Sequence, residues 1–267
     1  MGPIGVFDSG VGGLTVLRAL RAVLPAEDFI YLGDTARLPY GTKSADTVAR
    51  YSLQCAAALM TRGIRCLVVA CNTASASALD TLRLRYPDIP VIGVIEPGAR
   101  AAVAASRSQY IAVIGTEGTI SRGAYQAAIH RLNPAARVAA LPASLIVALA
   151  EEGWTHGPIA EAVVRQYLSP LFAAESGAAP DTLVLGCTHF PALAESIRNV
   201  LPVSVRIVDS AETTAAMVAS QLPSNRAAAA AGSVRWLATD GAARFARASS
   251  TFLGEALPLA EIEIIDL

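Results

Sequence analysis

Lysine is almost missing from this chain: Lys43 is the only one in 267 residues, at the start of a segment patterned as a surface helix. No buried lysine is therefore offered to hold an aldehyde cofactor as a Schiff base. Histidine is scarce, and His130, His156 and His189 are scattered. The four cysteines, Cys55, Cys66, Cys71 and Cys187, have neither the spacing of a disulfide framework nor that of a zinc site. No metal site is expected, and the thiols are read as free in a reducing compartment. Net charge is only −1, which gives no electrostatic footprint for nucleic acid or an anionic membrane. No apolar run reaches the roughly 18 residues of a membrane helix. The start, MGPIGVFDSG, lacks the basic region and long apolar stretch of a signal peptide, and Val6 stands where a myristoylation site needs Ser or Thr. A soluble cytoplasmic protein is expected, with no nucleic-acid or membrane partner.

Apolar residues make up 53% of the chain and charged residues 16%. Much of the apolar share is alanine, which suits helices packed closely on a sheet. The length exceeds the usual domain size of about 100–150 residues, so two domains or one large α/β unit are expected. Short apolar runs alternate with helical patterns, as in a parallel sheet covered on both faces. Strands are predicted near 3–8, 28–32, 66–70, 90–94, 110–114, 137–140, 182–186, 204–208, 233–238 and 260–265. Helices are predicted near 13–23, 43–62, 73–86, 97–105, 121–131, 143–151, 158–174, 191–199, 211–221 and 240–249. The tract RAAAAAG at 226–232 reads as a helix end or linker.

An internal repeat is visible in the order of elements. IGVFDSGVGG (4–13) and IAVIGTEGTI (111–120) are each a strand, a polar Gly-containing turn and a helix. Each is followed by a strand ending in cysteine, Cys71 in LVVACNTASAS and Cys187 in LVLGCTHFPAL. Two related α/β halves are expected, residues 1–95 plus 208–267 and residues 96–207. Ligands of open α/β sheets bind beyond the C-terminal strand ends, where Asp8, Cys71 and Cys187 all fall. Two halves facing each other would bring both thiols into one interdomain cleft.

Cys71 precedes Asn72, Thr73 and a helix, and Cys187 precedes Thr188, His189 and a helix. A helix N-terminus favours the thiolate, so both cysteines are candidates for acid–base work. Cys55, inside YSLQCAAALM, and Cys66, at a strand start, read as core residues. Asp8 and Ser9 precede a glycine turn whose N–H groups suit an anion, although a tight turn with a capping carboxylate explains the same residues. Tyr40 and Gly41, ending GDTARLPYG, can donate to a carboxylate. Thr116 and Thr119 read first as helix caps. Glu151 and Glu152 close a helix where the dipole disfavours acids. His189 is either a helix-start histidine or an acid–base partner of Cys187. These residues leave a non-catalytic amino-acid-binding protein with inert thiols open as the rival reading.

Taken together, FDSGVGG, GDTARLPYG, ACNTASA, GVIEPG, GTEGTI, LGCTHFP and VDSAETTA resemble, in order and along nearly the whole chain, the glutamate racemases of the aspartate/glutamate racemase family. Aspartate-specific relatives continue as CNTAH and GCTE, where this chain has Ser75 and His189; decarboxylating relatives keep one of the two thiols. The resemblance implies two pseudosymmetric α/β domains with mostly parallel sheets and a cofactor-independent racemase of L- and D-glutamate that serves peptidoglycan synthesis. It implies Cys71 and Cys187 as the acid–base pair, the first acting on D-glutamate and the second on L-glutamate. Asp8 and His189 assist them. A further carboxylate aligns with Glu151, with Glu152 next to it. Substrate contacts fall on Asp8, Ser9, Tyr40, Gly41, Asn72, Thr73, Thr119, Thr188 and His189. Ala148 departs from the proline frequent there in the family. A homodimer is compatible with this reading.

Overall fold

IGVFD at residues 4–8 has no polar face, so both its sides must be covered. It forms β1 (Ile4–Asp8), buried throughout. In the computed structural model, which describes residues 2–173, 179–222 and 231–267, β1 is followed by α1 (Leu14–Val23) and β2 (Phe29–Gly33). Leu14, Leu17 and Leu20 bury one side of α1 while Arg18 is exposed, and the helix stops at Leu24 before Pro25. Then come α2 (Ala45–Met60), β3 (Cys66–Val69), α3 (Asn72–Arg85), β4 (Val91–Gly93) and α4 (Ile95–Ala105). Ser44 caps α2 through the Thr47 N–H at 3.4 Å, so Lys43 lies just before that helix instead of inside it.

The second run is β5 (Tyr110–Gly115), α5 (Glu117–Ser121), α6 (Ala124–Leu132), β6 (Arg137–Pro142), α7 (Ser144–Glu151), α8 (Pro158–Phe172) and β7 (Thr182–Gly186). It continues through α9 (Ala194–Val200), β8 (Arg206–Asp209) and α10 (Ser210–Gln221). The chain closes with β9 (Val234–Ala238), α11 (Ala242–Leu253) and β10 (Ile262–Ile264). The helix expected over 121–131 is two helices, because Gly123 adopts a left-handed φ of 63° between them. The helix expected over 191–199 begins with a 3-10 turn, Phe190–Leu193, that contains Pro191. Residues 226–230 of the alanine tract, and residue 174 at the expected end of α8, lie outside the described residues.

Two parallel sheets result, ordered β10-β9-β2-β1-β3-β4 and β6-β5-β7-β8. The orders β2-β1-β3-β4 and β6-β5-β7-β8 are the same arrangement twice. Register makes the repeat explicit: Ile4 pairs with Cys66 and Ile111 with Thr182, and each catalytic candidate thiol follows five residues on, Cys71 and Cys187. The returning strands β9 and β10 extend the first sheet on the β2 edge. β8 remains paired to β7 through Asp209, so the chain crosses back after that residue.

α10 packs on α1 and on α4, and one apolar core runs continuously from Ile4 and Leu17 through Ala215 to Leu185 and Phe190. Each fully buried leucine or phenylalanine in it contributes about 1.5–3 kcal/mol relative to exposure. The two sheets are thereby held with their C-terminal strand ends around a shared cleft. Among the described residues no helix is long and apolar enough to cross a membrane.

Candidate active site

Each half puts a cysteine where a buried strand gives way to polar turn residues. Cys71 is the N-cap of α3, and the Ala74 N–H donates to its sulfur at 3.5 Å. Ser9, from the end of β1, lies 3.6 Å from the same sulfur. Cys187 follows β7, and its sulfur is 3.7 Å from Nδ1 of His189. Nε2 of His189 is 3.2 Å from Oε1 of Glu151 at the end of α7. The two thiols thus have different partners: a hydroxyl and a helix terminus for Cys71, an imidazole–carboxylate relay for Cys187.

One enclosed cavity between the sheets is lined by both cysteines together with Ser9, Gly10, Leu38, Pro39, Tyr40, Gly41, Asn72, Thr73, Thr116, Val147, Glu151, Thr188 and His189. The space in it open to the centres of water-sized molecules is only about 30 Å³, so the cleft between the two thiols is narrow and nearly closed. Asp8 and Thr119 do not line it but are buried directly behind it. Asp8 accepts the Gly10 N–H at 2.9 Å through Oδ2, while Oδ1 has no hydrogen-bond partner. Thr119 bonds to Thr73 at 3.2 Å and to Thr116 at 3.0 Å, and Thr73 reaches Thr116 at 2.9 Å. Thr116 is indeed the cap of α5, and it is also a wall residue, a second role that capping did not reveal.

Asn72 is held by Tyr125 of the second half, whose hydroxyl donates to Oδ1 at 2.8 Å. Its Nδ2 is buried without a partner, a donor set beside the cavity. The Tyr40 hydroxyl is turned away and bonds to Asp34, which Arg37 and Thr239 also engage, at 2.7 and 2.9 Å. Tyr40 therefore offers a ligand its backbone, not its phenol. Glu151 is the carboxylate brought to His189; Glu152 caps α7 and is exposed. Arg244 on α11 bonds to the other oxygen of Glu151 at 2.8 Å. No local motif marked Arg244 or Tyr125, because each acts through a residue distant in sequence.

The electrostatics amend one expectation. The helix terminus does favour the Cys71 thiolate, but burial, followed by the Asp8 and Cys187 charges, pushes its pKa up to about 12. Cys71 is thereby favoured as the neutral thiol at neutral pH. Cys187 is not followed directly by an α-helix; its partner is the imidazole. Burial alone would push His189 down, yet its hydrogen bonds to Cys187 and Glu151 and the charges of Cys187 and Asp8 carry it up to about 10. His189 is then an imidazolium at neutral pH. The hydrogen bond from His189 lowers the Glu151 carboxyl, burial opposing and Arg244 assisting. Burial raises Asp8, with the His189 charge and the N–H groups of Gly13, Gly10 and Ser9 opposing. Cys55 and Cys66 are buried away from the cavity and raised to about 12, mainly by burial, as core thiols are.

Two parallel-sheet lobes, each presenting a strand-end thiol to one cleft, define this α/β protein. The sequence pattern of the Asp/Glu/hydantoin racemases matches residues 4–218. The glutamate racemase of Geobacter metallireducens is 52% identical over 254 residues, covering 94% of this chain and 92% of its own. That of Koribacter versatilis is 46% identical, covering 99% and 97%. Among solved structures, glutamate racemase RacE1 of Bacillus anthracis superposes with a TM-score of 0.91 at 36% identity, covering 100% and 98%. The Francisella tularensis glutamate racemase in complex with D-glutamate gives 0.89 at 36% identity, covering 99% and 97%. This chain belongs to the Asp/Glu/hydantoin racemase family.

Proposed function

We propose that this protein interconverts L- and D-glutamate without a cofactor, using Cys71 and Cys187 as two bases on opposite sides of Cα. The observation that carries this reading is that both thiols, at equivalent positions of two repeated sheets, line one cavity. A single base tends to return the proton to the face it left; inversion needs an acid waiting on the other face.

In the D-to-L direction the Cys71 thiolate removes the α-proton and the Cys187 thiol delivers one to the opposite face. One proton leaves carbon and one arrives, so the enzyme ends with the two sulfurs in exchanged states. The L-to-D direction reverses the roles. Substrate entry must therefore be accompanied by loss of the Cys71 proton in one direction, and the buried Asp8 carboxylate, whose charge acts on Cys71, is the group we assign to assist it. His189, backed by Glu151, assists Cys187. The α-carbanion is held by N–H and O–H donors aimed at the carboxylates, in a cleft that excludes water. We assign that binding to Ser9, Asn72, Thr73 and Thr188, to the backbone of Tyr40 and Gly41, and to Thr119 through Thr73.

The lobes of this enzyme are residues 1–95 with the returning C-terminal segment, and the stretch between them. The protein works in the cytoplasm, a homodimer being compatible with this reading, and its D-glutamate enters bacterial peptidoglycan. Incubation with either enantiomer in heavy water tests the proposal. Deuterium should enter the α-position as optical rotation decays, and Cys71→Ser and Cys187→Ser should each abolish racemisation. Near-normal turnover in either single variant, or binding of glutamate with no deuterium uptake, would remove the two-base mechanism. A parallel assay with aspartate, in which glutamate turns over faster, fixes the substrate.

A further inference from the structure

The Cys187 half-site is not built from its own lobe alone. Glu151, His189 and Cys187 all come from the second lobe, but the outer oxygen of Glu151 is held by Arg244, on α11 of the first lobe, at 2.8 Å. Glu151 sits at the C-terminal end of α7, where the helix dipole repels a carboxylate. It has two cationic partners, His189 on the inner side and Arg244 on the outer. Glu152, its neighbour in sequence, is exposed and bonds to neither of them. A second cavity adjoins the active site across Leu38 and Glu151, and its wall includes Arg244 and Asp240. Asp240 is the one other charged group on that wall. Without Arg244 the outer oxygen of Glu151 loses its partner, and the second cavity leaves the carboxylate room to shift from its present position against His189.

We propose that Arg244 is a positioning residue for the Cys187 half-site: reaching across from the first lobe, it pins Glu151 against His189, so that the relay behind Cys187 is complete only when the lobes are together. This rests on the two-thiol reading above and adds a coupling between lobe closure and proton transfer. Arg244 touches neither sulfur nor cavity floor, and its side chain is 55% exposed, so its contribution to stability is small. Its effect is on where one carboxylate points.

The test uses Arg244→Met and Arg244→Lys in the full chain. In Arg244→Met, kcat at neutral pH should fall about tenfold, the effect of one lost charge-assisted hydrogen bond on a proton-transfer relay. Because enantiomers have equal free energies, kcat/KM must fall by the same factor in both directions. The basic limb of the kcat profile should move to lower pH, since His189 loses its carboxylate. Arg244→Lys should recover most of the turnover. Independently of turnover, the ¹⁵N imidazole shifts of His189 in the substrate-free protein should titrate at lower pH in Arg244→Met than in the wild type. Unchanged turnover and an unchanged His189 titration in Arg244→Met would overturn the assignment while leaving the two-thiol mechanism intact. A wild type without racemisation would instead sink the reading beneath it, and the His189 titration would still decide the role of Arg244.

Discussion

Gly12 lies so close to His189 that a Cβ on it would stand 2.4 Å from Nδ1, and 2.5 Å from Oγ1 of Thr188. The glycine belongs to the turn after β1, and the histidine to the turn after β7, so the first lobe's backbone forms a wall against which the second lobe's imidazole rests. Thr15, three residues on, donates to the Thr188 carbonyl at 3.0 Å and ties the same two turns together.

Gly12→Ala should therefore be an activity mutation more than a stability mutation. Relieving the contact means moving the imidazole by about 1 Å, and displacements of that size cost roughly 100-fold in turnover. Thermal unfolding should shift by only a few degrees. Wild-type kcat in this variant would show that His189 does not need its present position.

Tyr125→Phe removes the hydroxyl that fixes the Asn72 amide. The net loss of one buried hydrogen bond is about 1 kcal/mol. Since Asn72 is assigned to substrate binding and not to proton transfer, KM should rise several-fold with a smaller change in kcat. Initial rates over a glutamate titration separate the two, and a fall confined to kcat would contradict that assignment.

Asp34→Ala should destabilise the fold. Asp34 is fully buried and takes bonds from Arg37, Tyr40 and Thr239, so its removal strands a partly buried guanidinium and a phenol. Loss of one partner of a buried ion pair costs about 3 kcal/mol or more. Urea unfolding measures it. The Tyr40–Gly41 wall of the cleft is anchored by the same network, so the KM for glutamate should also rise.

His189 makes a pH-dependent contribution to stability. Its folded pKa of about 10 lies above the ordinary 6.5, because hydrogen bonds and neighbouring charges outweigh its burial. The stabilisation is fully present below about 6.5 and is lost as pH rises towards 10. Urea unfolding of wild type and His189→Asn between pH 6.5 and 9, below the region where the raised thiols titrate, should show a steeper decline in the wild type. Parallel curves would mean that the imidazole is not held as a cation.

Much of this architecture was legible in local pattern. Apolar runs such as LVLG and IGVFD announced buried parallel strands because no polar face had to be reconciled with solvent. The doubled strand–turn–helix order predicted a repeat that the matching strand orders and registers display. Where the pattern misled, a single residue was responsible: Gly123 divided one expected helix, Pro191 put a 3-10 turn where an α-helix was expected after Cys187, and Ser44 set the start of α2 beyond Lys43.

By itself the sequence determined the two α/β repeats, the strand-end cysteines and the polar turns that follow them, because strand burial and turn chemistry are properties of a few adjacent residues. Only the tertiary structure decided which carboxylate bonds to His189, that the Tyr40 phenol is spent on Asp34, and that Arg244 and Tyr125 reach across the cleft to bond Glu151 and Asn72. It also decided the charge states: Cys71 sits at a helix terminus that favours the thiolate, yet burial beside Asp8 keeps it protonated. Burial, cross-lobe hydrogen bonds and summed charge depend on residues tens to hundreds of positions apart, and no local stretch of chain carries them.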